Sequence, residues 1–137
     1  MLKPPYGPKV AGRMAFFFGP IAGALVTVVN LRRTGHPVKA KRIFLWTLLA
    51  TAVLGAILIL LPDLLGRLAG LAAEIAFYCV YPPLQENEFN EWQAAHPEVP
   101  PSNGWKALGW GLLGIVLFLL VCFLVSLPIA LIFPNAV

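Results

Sequence analysis

The sequence predicts an all-α fold: a polytopic membrane bundle of about four transmembrane helices in a single domain, residues 1–137. Three observations carry that expectation. First, 59% of the residues are hydrophobic and only 12% are charged, whereas a soluble domain carries about 25% charged residues. A chain of this size has too much surface to cover with so few charges, and its mean hydropathy is +0.81. Second, the apolar residues gather into four long runs separated by polar stretches. Third, the charges are sorted by position. Lys3, Lys9 and Arg13 precede the first run, Arg32, Arg33, Lys39, Lys41 and Arg42 follow it, and Glu86, Glu88, Glu91 and Glu98 share a later polar segment.

The first run, AGRMAFFFGPIAGALVTVVNL, covers about residues 11–31 and is uncharged from Met14 to Val29. A hydrocarbon core of about 30 Å needs about 20 helical residues, so the run is long enough to span. Its basic flank is like that of a signal peptide, but the run ends in VVNLRR with no small-x-small cleavage site, and it reads as a retained span. Pro20 removes one backbone hydrogen bond and predicts a kink or wide turn. Gly19 and Gly23 lie four apart on one face, where small residues let a second helix approach.

The second run, residues 43–61, is the clearest span. Trp46 near its start suits the headgroup layer, and Pro62 and Asp63 end it. The third, LLGRLAGLAAEIAFYCVY over 64–81, contains Arg67 and Glu74. A charge near mid-helix costs about 2.5–3.5 kcal/mol to insert. These residues are seven apart and share a face, so a packed span is expected, with an interfacial helix as the alternative. Gly66 and Gly70 make a second small-residue face. Prolines 82, 83, 97, 100 and 101 bracket an acidic polar loop, 82–104, in which QENEFNEWQAAH predicts two or three turns of amphipathic helix with Phe89 and Trp92 on one side. Asn103-Gly104 reads as a turn before the last span, 105–133. There Gly109, Gly111 and Gly114 mark a packing face and Pro128 disturbs the final turns.

The basic loop, 32–42, with Arg32, Arg33, Lys39, Lys41 and Arg42, is placed in the cytoplasm by the positive-inside rule. Such cations also attract anionic lipid, at about 1 kcal/mol each. Four spans then leave the N-terminus outside despite its three cations, the 82–106 segment inside and the C-terminus outside. An interfacial third run reverses the last two. No nucleic-acid partner is expected, because no helix-turn-helix, zinc spacing or soluble domain accompanies the charge.

Residues 16 to 35, FFFGPIAGALVTVVNLRRTG, resemble the first span of an uncharacterised family of small multi-pass bacterial inner-membrane proteins. The pattern is carried by Gly19, Pro20, Ala22, Gly23, Asn30, Arg32 or Arg33, and Gly35. The region from His96 to Gly104-Trp105 is similar more loosely. The resemblance implies a bacterial inner-membrane location and no particular chemistry.

Glu74 is the residue to single out, since an acid in an apolar helix faces a partner, a cavity or a relay. With Tyr78 one turn on and Arg67 almost two turns back, it forms a candidate proton, ion or buried polar site. His36 and His96 fall in loops and read as solvated, with no haem arrangement and no metal-ligand spacing. Cys79 and Cys122 form no CxxC and read as small buried hydrophobes. Thr27, Thr47, Thr51 and Ser126 have no accompanying base for nucleophilic catalysis and suit helix–helix hydrogen bonding. No catalytic residue, metal or cofactor is expected, and the protein is not read as an enzyme. The sequence favours a small integral membrane subunit or accessory protein, acting through helix packing and loop contacts with a larger membrane complex. The alternatives are an oligomeric proton or small-cation transporter or channel built around Glu74, and a lipid-interacting envelope protein using the basic loop. The expected partners are the bilayer and membrane proteins, or further copies of the chain.

Overall fold

A computed structural model describes residues 3–135. The described chain is helical, with one isolated bridge between Tyr6 and Ser102. Helices α1 (Pro8–Phe18), α2 (Pro20–Arg33), α3 (Pro37–Leu60), α4 (Asp63–Ala95) and α5 (Leu108–Ile132) follow in order, with a 3-10 turn, Gly104–Ala107, leading into α5.

The first apolar run does not cross as one helix, contrary to the sequence expectation. It folds back on itself. Gly19 lies at φ 96°, ψ 170°, a conformation open essentially to glycine alone, and Pro20 starts a new helix with its φ already set. At 11 and 14 residues, α1 and α2 are each too short for a core of about 30 Å. They run antiparallel. The Tyr6 N–H donates to Asn30 Oδ1 at 2.7 Å, Arg33 Nη1 donates to the Pro4 carbonyl at 2.8 Å, and Gly23 faces Ala15. The kink expected from Pro20 is therefore a full reversal, because Gly19 adds a turn that proline alone does not make.

This hairpin is the core. Ile21, Ala22, Ala24, Val26, Thr27 and Leu31 of α2 have no exposed surface, and α3, α4 and α5 pack chiefly around the hairpin. Three segments are long and apolar enough to cross a membrane: Pro37–Leu60, Asp63–Ala95 and Gly104–Ile132. The protein is an all-α membrane bundle with three such helices around a short hairpin. The third run is the first part of the long continuous helix α4. Phe118, near the middle of α5, is the nearest side chain to the Gly19 turn, so the tip of the hairpin sits about halfway down the bundle.

The 82–104 stretch is not a separate loop helix. Helix α4 runs through Pro82 and Pro83 to Ala95, some 50 Å at 1.5 Å per residue. Pro82 has no N–H for the Tyr78 carbonyl. Gly12 of α1 packs against that carbonyl so closely that a Cβ would lie 2.7 Å from it, so α1 lies directly against α4 where proline removes a hydrogen bond. Beyond Tyr81 the helix carries Glu86, Glu88 and Glu91 out past the apolar section.

Contacts define two ends. The N-terminal segment meets Arg33 and Ser102, and Lys39 pairs with Glu88. The N-terminal segment, the α2–α3 turn and the α4–α5 connection thus share one end, the basic end. The α3–α4 turn and the end of α5 lie at the other. The N-terminus is consequently on the same side as the basic residues, where a four-span path had put it opposite. The returning hairpin is the reason.

Candidate functional site

One hydroxyl ties three elements together where the hairpin meets the long helices. Tyr81 of α4 is 2% exposed. Its hydroxyl donates to the Pro20 carbonyl of α2 at 2.8 Å and lies 3.0 Å from Thr47 Oγ1 of α3. One turn on, Gln85 Nε2 donates to Thr27 Oγ1 at 3.2 Å and to the Tyr81 carbonyl at 3.1 Å. Its Oε1 accepts from Asn30 Nδ2 at 2.6 Å, and Thr27 Oγ1 donates to the Gly23 carbonyl at 2.9 Å. A buried polar group left without a partner costs about 1–3 kcal/mol, so these side chains fix the depth and rotation of the hairpin. The sequence expectation of helix–helix hydrogen bonds holds for Thr27 and Thr47, which meet Gln85 and Tyr81, but Asn30, Tyr81 and Gln85 were not singled out as members of such a network. Thr27 and Asn30 lie on α2 and Tyr81 and Gln85 on α4, far apart in sequence, and only the hairpin brings Asn30 to Gln85.

Below the tip, the space between α3, α4 and α5 is unfilled. A cavity of about 410 Å³ lies there, roofed by Phe18, Gly19 and Pro20 and walled by residues such as Leu54, Phe77 and Val121. Helix α2 begins at the roof with Pro20, so the positive end of its dipole is directed toward this space. Two polar side chains line it, Glu74 and Thr51. Thr51 is 3% exposed and its Oγ1 has no hydrogen-bond partner.

The candidate triad is not assembled. Glu74 borders the cavity and is exposed in the single chain. Tyr78 makes no hydrogen bond to it, its ring instead meeting Phe16 edge-on at 6.1 Å. Arg67 is exposed near the far end of α4, and the one ion pair among the described residues is Lys39 with Glu88. A helical spacing of seven aligned Glu74 and Arg67 on one face, but the hairpin covers a different face of α4.

The glycines divide similarly. Gly23, Gly111 and Gly114 make close contacts, against Ala15 and Tyr81, Phe18, and Ala22 respectively. Gly70 and Gly109 have no neighbour within 4 Å of a Cβ position, and Gly66 only carbonyls at ordinary contact distance. Gly19 serves the turn. Gly12, not singled out from the sequence, is a packing glycine.

The basic loop also changes. Only 34–36 lie outside helices, and two of the five cations are engaged. Arg33 bonds Pro4 and stacks over the Tyr6 ring at 5.0 Å. Lys39 holds Glu88, while Arg32, Lys41 and Arg42 are exposed. Partial burial of Glu88 pushes its carboxyl pKa up, but the hydrogen bond and charge of Lys39, aided by His36, bring it net below the usual carboxylate range. His96 stacks on Trp92, their rings 4.8 Å apart. Cys79 is exposed and Cys122 half-buried, neither in a disulfide, so the expectation of two buried thiols is corrected.

No family model matches the chain, and no curated protein or solved structure matches it. The resemblance carried by residues 16 to 35 rests on those residues.

Proposed function

We propose that the protein is a small subunit of a larger complex in a bacterial inner membrane, acting through contacts made by its helices and polar ends. The observation that carries this is the unfilled lower half of the bundle. The hairpin reaches only halfway, and the most apolar stretches of the three long helices are 11%, 6% and 0% buried within the chain. Lipid suits most of that surface. It does not suit Glu74, because a charged group at such depth costs about 2.5–3.5 kcal/mol without compensation. A helix from a partner protein entering between α3, α4 and α5 would fill the cavity and supply a donor to Glu74.

The test is native mass determination after mild-detergent extraction from the protein's own membranes, with every co-purifying chain identified. Heavier species containing other chains at fixed ratio are expected, and Glu74→Leu should lower their yield. A species containing only this chain would sink the proposal.

A second reading, proton or small-cation movement, is favoured by the second polar group in the cavity, the unpartnered Thr51 hydroxyl. Loss of proton flux in liposomes for Glu74→Gln, with assembly intact, would select it over the first.

A further inference from the structure

Helix α1 and the start of α5 enclose a groove of about 390 Å³ at the basic end. Its floor is apolar, made by Met14, Phe17 and Phe18 from α1 and Leu108 opposite. Its mouth holds Arg13 on one wall and Asn103 and Trp105 on the other. The floor follows α1 toward the hairpin tip, so the groove runs from the level of Trp105 toward the middle of the bundle. An indole belongs at the headgroup layer, and Trp105 is 76% exposed. Arg13 stands about 9 Å of helix above the tip, from where its long side chain can reach outward to the headgroups.

The polar groups at the mouth are donors awaiting an acceptor. Arg13 is exposed and has no acidic partner among the described residues. Asn103 uses its Oδ1 to accept the Trp105 N–H at 3.1 Å, and its NH₂ makes no hydrogen bond among the described residues. No carboxylate lines the groove. Lys9, one turn before Arg13, and Lys106, next to Trp105 in sequence, are exposed and add positive charge at this end of the bundle.

We propose that this groove binds one anionic phospholipid, its phosphate held by Arg13 and the Asn103 amide and one acyl chain lying along Met14, Phe17 and Phe18. The charge of the mouth selects an anionic over a zwitterionic headgroup, and the two-walled apolar floor distinguishes a site from general attraction. Arg42 and Trp46 on α3 provide the contrast: their shallow recess is lined by that one helix alone.

The test uses the purified full-length chain in mild detergent, titrated with phosphatidylglycerol or phosphatidylcholine of matched acyl chains and read by native mass spectrometry. Circular dichroism checks the fold of each variant. One phosphatidylglycerol should bind first and saturate. Arg13→Gln should reduce its preference over phosphatidylcholine about fivefold, and Arg42→Gln should change it less than about twofold. Leu108→Trp, which fills the floor, should weaken both lipids. Equal binding of the two lipids by the unaltered protein would overturn the proposal. So would equal losses in Arg13→Gln and Arg42→Gln, which would mean diffuse attraction to the basic end, or a co-purifying protein chain that keeps lipid out.

Discussion

Gly114 and Gly109 are five residues apart on α5 and meet opposite surroundings. A Cβ at Gly114 would lie 2.5 Å from the Ala22 Cα and 2.6 Å from its nitrogen, whereas one at Gly109 would meet nothing within 4 Å. Backbone atoms of a buried helix cannot step aside as a flexible side chain can. Gly114→Ala should therefore push α5 off the hairpin and cost about 1–3 kcal/mol. Gly109→Ala should be neutral or stabilising, since alanine is the better helix former by about 1 kcal/mol. Thermal unfolding followed by circular dichroism in one detergent separates them, and equal shifts would mean that α5 does not pack on α2 as described. The sequence shows that both are glycines in a helix, but not which face meets another backbone. The same limit applies to Glu74, conspicuous in the sequence yet unpaired among the described residues, and to Gln85, which looks like an ordinary polar-loop residue and is 1% exposed.

Among the elements, the apolar runs at 43–61, 64–81 and 105–133 were legible, since length and composition alone mark a crossing helix. The hairpin was half legible. Pro20 announces a break, but its angle depends on Gly19 taking a conformation that the sequence permits without requiring. Pro82 and Pro83 misled in the other direction: prolines often end helices, and here α4 continues through both while α1 packs against it at Gly12. The extension of α4 that results brings Glu88 to Lys39 and ties α4 to α3 at the basic end. Because the Glu88 carboxyl is held below its usual pKa in the folded chain, its contribution is present above the ordinary carboxylate value of about 4.3. It is lost as pH falls through that value toward the lower folded one. Lys39 is 39% exposed, so solvent screening limits the pair to about 0.5–1 kcal/mol. The unfolding midpoint of the unaltered chain should drop toward that of Glu88→Gln as the pH falls from neutral through and below the ordinary carboxylate value. A constant gap between the two across that window would remove the ion pair from the account.

At the scale of the whole molecule, the hairpin resolves a conflict that four crossings create. With the first run crossing, Lys3, Lys9 and Arg13 lie across the membrane from the other basic cluster. With the run folded back, every lysine and arginine except Arg67 falls toward the basic end, and one orientation satisfies them all. For the inner-membrane protein proposed above, the positive-inside rule predicts that end in the cytoplasm, with the N-terminal segment and the α4–α5 connection, and three crossings predict the end of α5 outside. Lys3, Glu98 and Asn135 are all exposed and suit single-cysteine labelling in chains whose Cys79 and Cys122 are replaced by alanine. A membrane-impermeant maleimide added to intact cells, with the outer membrane made permeable, should label Asn135→Cys. Lys3→Cys and Glu98→Cys should react only once the inner membrane is opened. The decisive position is Lys3, because four crossings predict that it labels together with Asn135, whereas a hairpin entering and leaving from one side keeps it with Glu98. Labelling of Lys3→Cys together with Asn135→Cys in intact cells, with Glu98→Cys protected, would separate α1 from α2 across the bilayer, and the contacts of Tyr6 with Asn30 and of Arg33 with Pro4 could not then form.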